Sequence, residues 1–198
     1  MKNKILSIAS LALSGWVILS CEDFLDKQPL AQLSSDTFWK TEADVQAELA
    51  ATYTTYRSNI AGSVPGSNGV SFAIEALSDN AISSSGYFNI QGIMHGGIHP
   101  GTGGAVQDFW RLCYEGIASC NYFLDNLELS KSILAEEDYN LYKGEALFNR
   151  AYYYNELIQL YGDVPLILNF ATIDDIELTK SQPRVPKADV VAQLLQDI

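Results

Sequence analysis

His95 and His99 stand four apart, the spacing at which two imidazoles on one helix grip a zinc ion. Gly96 and Gly97 between them argue against a helix, and the glutamate of a metalloprotease motif is missing. The pair reads as loop histidines, and no metal site is predicted. Gly101, Gly103 and Gly104 resemble a phosphate-cradling loop only superficially. Val106 occupies the place of the third glycine of a dinucleotide fingerprint, and no Lys-Ser/Thr pair follows. A flexible loop is the better reading. Asp174 and Asp175 sit in polar sequence and read as solvated carboxylates. Glycosidase carboxylates have no diagnostic sequence spacing, so a polysaccharide hydrolase is disfavoured yet stays an alternative. Cys113 and Cys120 lie seven apart on a predicted helix, about 10 Å along its axis. That is too far for a disulfide within the helix, and the two read as small buried fillers.

One cluster survives this sorting. Tyr87, Phe88, Asn89, Gln91 and His95 fall within nine residues of a glycine-rich loop at 83–105. Aromatic faces suit apolar C–H surfaces, and amides and imidazoles suit hydroxyls. Such mixed sites sit on loops over a rigid scaffold, and the chemistry they fit is that of a sugar. The competing reading has Tyr87 and Phe88 pinning the loop onto helices. No catalytic residue and no cofactor is predicted.

Helices must position that loop. Thr41-Glu42-Ala43-Asp44 resembles a capping box with Asp in place of Glu. Val45, Leu49, Tyr53 and Tyr56 follow on one apolar stripe, with Phe38 and Trp39 placed to staple onto it. From Gly62 to Gly104 the periodicity dissolves, and seven of the fourteen glycines fall between Gly86 and Gly104. Loops this long inside a compact domain are usually functional. Before them, residues 72–77 form a short helix ending at Ser78-Asp79-Asn80. Order returns at Gln107, where Trp110, Cys113, Tyr114, Ile117, Asn121, Leu124 and Leu127 mark an amphipathic helix.

A longer helix is predicted from Ala135 to Tyr161, about 40 Å in length. Glu136, Glu137 and Asp138 crowd its first turn, where the helix dipole favours anions. Tyr139, Tyr142, Ala146, Tyr153, Leu157 and Leu160 line one face. Leu147, Phe148, Ala151, Tyr154 and Ile158 extend the apolar surface, so burial on most faces is expected. Tyr152, Tyr153 and Tyr154 step about 100° each and must meet three different neighbours. Arg150 has Glu145 and Glu156 in its own helix, but neither is at i±3 or i±4. Its partner should lie elsewhere in the fold. Gly162 and Pro165 end the helix. Val164 to Phe170 is extended, the stretch to Arg184 is a polar connection, and Pro186 opens a last helix carrying Val190, Val191, Leu194, Leu195 and Ile198. It stops in mid-period, which predicts a longer protein with a C-terminal part missing here. The expectation is an all-α fold of tetratricopeptide-like hairpins with long irregular loops, although no clean 34-residue repeat is present.

The first twenty residues read as targeting. Lys2 and Lys4 precede an apolar stretch from Ile5 to Leu19, shorter than the roughly 20 residues a spanning helix needs. Ile18-Leu19-Ser20-Cys21 fits a lipoprotein processing box, which makes Cys21 the expected lipidation site. The expected divisions are a signal peptide at 1–20, a tether at 21–40 and a helical domain at 41–198. Removing Lys2 and Lys4 leaves ten basic against twenty-four acidic residues, a net charge of −14. Charge this negative disfavours nucleic acid and any membrane attachment that relies on anionic lipid. A covalent lipid is the attachment that fits.

Four stretches together resemble the SusD/RagB family. They are Cys21-Glu-Asp-Phe-Leu-Asp-Lys-Gln-Pro29; Thr37-Phe-Trp39 with the helix ending near Ala51-Thr-Tyr53; Trp110-Arg-Leu-Cys-Tyr114 continuing to Ile117 and Asn121; and Gly144 to Leu157 followed by Tyr161-Gly-Asp-Val-Pro-Leu166. The fourth is the most specific, and its residues read as core packing. The resemblance implies a surface-facing outer-membrane lipoprotein that binds a glycan or other polymeric nutrient. It also implies delivery to a TonB-dependent, SusC-like transporter, and no catalysis. Glu22, Asp23 and Asp26 look like the family's surface-export pattern. In the family the loop before the tryptophan helix is one place where ligand contacts occur, a regional match only. A helical-repeat adaptor between proteins is the alternative from another class.

Overall fold

The computed structural model describes residues 38–56, 75, 78–80, 82, 90–99 and 101–198. Met1–Phe38 and Trp39–Ile198 are separate units, and the second carries every element discussed below. Those elements are α1 (Glu42–Thr52), α2 (Ile90–Met94), α3 (Ala105–Leu127), α4 (Glu136–Tyr161), α5 (Ile176–Lys180) and α6 (Lys187–Asp197). Short 3₁₀ turns follow α3 and precede α5. A lone antiparallel bridge joins Val164 to Val185. The described architecture is the all-α one expected.

The chain enters α1 through the expected capping box. The Asp44 N–H donates to Thr41 Oγ1, and the Asp44 carboxylate accepts from the Thr41 N–H at 2.8 Å. The Thr41 hydroxyl, which also donates to the Asp44 carboxylate at 2.8 Å, and the Thr41 N–H hold the Asp44 carboxyl below the usual carboxylate range. Just before the cap, Trp39 adopts φ 64°, a left-handed conformation that an L-residue with a large side chain rarely takes. Its buried indole compensates by packing beside Tyr122 and Phe123, with ring centroids 6.4 and 5.8 Å away. Trp39 therefore clamps the start of α1 to α3, a longer reach than a staple within its own helix.

α3 and α4 form the central hairpin. Phe109, Leu112, Cys113, Ile117 and Cys120 of α3 bury against Ala151, Tyr153, Tyr154, Leu157 and Ile158 of α4. Gly116 makes the close approach possible. A Cβ there would stand 2.4 Å from the Tyr153 ring, so only glycine lets the ring lie on the α3 backbone. The three tyrosines do meet three neighbours. Tyr152 packs edge-on against Tyr56, Tyr153 donates to the Thr52 carbonyl at 2.7 Å, and Tyr154 exchanges hydrogen bonds with both backbone groups of Ile167. α4 ends at Gly162, whose φ of 69° suits a residue without Cβ.

The last helix buries only part of its apolar surface among the described residues. Val190 and Leu194 are buried as expected, but Leu195 and Ile198 are 73 and 78% exposed. The third inward position is Asp197, because Arg150 draws its carboxylate into the core. Phe148 and Leu160 likewise face out of α4, at 57 and 55% exposure, since its neighbours α1, α3 and α6 leave part of its surface open. α2 and α5 fall in stretches read as irregular. Each has five residues, too few to display a helical period. Of the helix expected at 72–77, Glu75 is described and is helical, and its carbonyl accepts from the Ser78 N–H and hydroxyl.

Leu157 is fully buried in this hairpin. Leu157→Ala is expected to lower unfolding free energy by about 2–5 kcal/mol in denaturant titration. A loss under about 0.5 kcal/mol would place that face of α4 in solvent.

Candidate functional site

Of the five candidate ligand residues, Gln91 and His95 lie in the described chain, and both are exposed. Tyr87, Phe88, Asn89 and the lipidation candidate Cys21 lie outside the described residues. Gln91 sits on α2 and His95 follows its end. Ile90 and Ile93 anchor α2 against Ala105 and Val106 at the start of α3. The polar side chains thus ride on a short helix nailed down by its apolar face.

Hydrogen bonds tie residues 92–99 to Gly101 and Thr102 in the glycine-rich segment. Gly96 has φ 78°, and the Gly97 N–H donates to the Gly92 carbonyl at 2.9 Å. A Cβ on Gly97 would stand 2.7 Å from that same oxygen. Buried Thr102 ties the far side: its hydroxyl accepts from the His99 N–H at 2.8 Å and donates to the Gly97 carbonyl. The Gly101 N–H donates to His99 Nδ1, which fixes that ring nitrogen as an acceptor. His99 is therefore a turn component. Among the described residues, no group of three or more His, Cys, Asp or Glu is placed to hold a metal.

A second recess lies on the α1/α4 seam. Tyr53, Tyr56, Phe148 and Tyr152 line an apolar groove of about 300 Å³. Its polar groups are largely committed within the protein. Tyr53 donates to Glu145 at 2.6 Å, Asn149 donates to Thr52 Oγ1, and Tyr153 is bonded to Thr52 and Tyr56. Such a face suits packing of another protein surface better than a hydroxylated ligand. The Cys113 and Cys120 thiols are free and buried, and burial pushes both up to about 12. At neutral pH they stay protonated, as inert fillers.

The group that organises this half of the molecule is Arg150. Its Nε and Nη2 donate to Asp197 Oδ2 at 3.0 and 2.7 Å, and Nη1 donates to Asn121 Oδ1 and the Leu168 carbonyl. The partner is outside its own helix, as its sequence position required. Asn121, read from the sequence as part of an apolar stripe, is a polar strut: its amide donates to the carbonyls of Ile167 and Asn169.

Residues 23–198 match the SusD-like family, described as starch-binding and associating with the outer membrane. SusD-like protein P25 of Formosa agariphila is 26% identical over 165 residues, 80% of this chain and 31% of that protein. A solved laminarin-binding SusD-like protein is 28% identical with a TM-score of 0.65, covering 80% of this chain and 33% of its own. A SusD superfamily protein from Bacteroides vulgatus shares the fold at 24% identity and a TM-score of 0.63, covering 81% and 34%. The chain spans about a third of the length of these relatives. The four resembling stretches and the helical scaffold agree with the family match: the chain belongs to the SusD-like family.

Proposed function

We propose that this chain is a surface lipoprotein that captures a glycan and presents it to a SusC-like, TonB-dependent outer-membrane transporter. One observation carries the reading: the match to a starch-binding, outer-membrane-associated family across residues 23–198. The laminarin-binding relative supports the ligand class, because its similarity exceeds what fold alone accounts for. Within the chain, Gln91 and His95 stand exposed on a pinned turn, which suits hydrogen bonding to sugar hydroxyls. Tyr87, Phe88 and Asn89, which precede α2 in the sequence, are proposed as further ligand contacts. The reading is of binding without catalysis and without a cofactor.

Attachment is proposed to run through Cys21, after removal of residues 1–20. No helix among the described residues is long and apolar enough to cross a membrane. The acidic chain gains nothing from anionic lipid, whereas acyl chains contribute about 0.8 kcal/mol per buried methylene. The adaptor reading draws on the apolar α1/α4 groove, and co-purification of a β-barrel with the lipidated protein favours transport partnership over it.

Cys21→Ala is expected to leave the protein unprocessed or released from membranes after high-salt washing. Unchanged membrane fractionation of that variant would contradict the lipid anchor. For the ligand, calorimetry with laminarin is expected to show roughly tenfold weaker binding for Tyr87→Ala and Asn89→Ala. If both variants fold and bind as wild type does, the 83–105 loop is not the contact surface.

A further inference from the structure

A pocket of about 410 Å³ opens between the extended 166–171 segment and α5, within the size range of small-ligand sites. Its floor is rigid. The Ile167, Leu168 and Asn169 carbonyls accept from Tyr154, Asn121 and Arg150, and the Ile167 and Phe170 amides donate to Tyr154 Oη and Asp125. A backbone fixed this thoroughly has little conformational freedom left to lose when a ligand binds.

The pocket's remaining side chains are equipped for a sugar. Phe170 is 39% exposed, and its ring is braced edge-on by Tyr122 at 5.0 Å. Exposed Leu178 forms an apolar rim. Among the described residues, the side-chain amides of Asn169 and Gln182 and the Thr179 hydroxyl have no hydrogen-bond partner. Asp175 uses Oδ2 to accept from Thr172, which leaves Oδ1 available. An aromatic face ringed by uncommitted amides, a hydroxyl and an acceptor matches the alternating C–H and O–H surface of a pyranose. The α1/α4 groove lacks this, because most of its polar groups are already bonded to neighbouring residues.

Charge narrows the ligand. Among the described residues, no Lys, Arg or His lines the pocket, and the ionisable group there is the Asp175 carboxylate. The whole chain carries a net charge of −12. A sulfated or uronic-acid sugar would meet repulsion without a compensating cation.

We propose that the pocket formed by residues 166–182 is a second glycan-contacting site, separate from the 83–105 loop and selective for a neutral sugar unit. It rests on the reading of the chain as a glycan-binding protein. The α2 turn packs at Ala105, the first residue of α3, and Phe170 is bound by Asp125, twenty residues further along. The two surfaces are therefore separated by about 30 Å along α3. A polymer can engage both at once and gain avidity, which a single sugar cannot.

The test is calorimetry of the full chain with laminarin and soluble starch as neutral probes and alginate as an anionic one. Wild type should bind a neutral probe, and Phe170→Ala and Gln182→Ala should each weaken it by roughly tenfold. Gln182→Ala and Thr179→Val lie outside the buried core, so they decide the matter if Phe170→Ala does not fold. Neutral binding that persists within about twofold in the folded variants overturns this site and leaves the glycan reading standing. Absence of wild-type binding to both neutral probes overturns the site together with that reading. Preference for alginate overturns the neutral assignment.

Discussion

A buried guanidinium holds three parts of this molecule in register. Arg150 projects from the middle of α4 and reaches α3 through Asn121, the extended segment through Leu168, and α6 through Asp197. Arginine and aspartate side chains are only 7 and 5% exposed, so both charges have surrendered most of their hydration. Such a pair is tolerated only when its remaining donors and acceptors are also satisfied. Here they nearly all are: Gln193 donates to the second Asp197 oxygen, and Arg150 makes four hydrogen bonds. The planar fork of the guanidinium fixes directions as well as distances, which a lysine ammonium in the same place would not do.

The surfaces proposed for ligand depend on this arrangement to different degrees. The 166–171 segment has no helix of its own and only a single β-bridge at Val164 nearby. Its shape comes from side chains of α3 and α4 that seize its backbone. Arg184 adds a second clasp, donating to the Asp163 carbonyl and lying 5.1 Å from the Trp110 ring centre. The α2 turn is independent of the hub. It is held by Ile90, Ile93 and the Thr102 bonds. One scaffold thus presents two surfaces that are stiffened by unrelated means.

Local features were legible in the sequence. The Thr41–Asp44 box, the acidic first turn of α4 and the Gly162 stop each depend on a few neighbouring residues. The long helices were legible because several periods repeat. Arg150 was half legible: the absence of a carboxylate one turn away implied a distant partner, but nothing local could name Asp197, forty-seven positions on. The same contact accounts for which face of α6 is buried. Its apolar residues occupy two adjacent stripes, and only the tertiary pull on Asp197 selects Val190 and Leu194 over Leu195 and Ile198. The pocket beside α5 was missed because its floor is backbone pinned from afar, and its Asn169, Thr179 and Gln182 look like ordinary linker residues.

Amide hydrogen exchange of Asp197→Asn against wild type tests the organising role of Arg150 most directly. The substitution keeps shape and leaves the guanidinium without its counter-charge. Residues 164–171 and α6 should exchange markedly faster, while the mid-helix amides of α3 and α4 stay protected by their own packing. Unchanged protection across 164–171 and α6 would show that the segment is held without the ion pair, and would contradict the account.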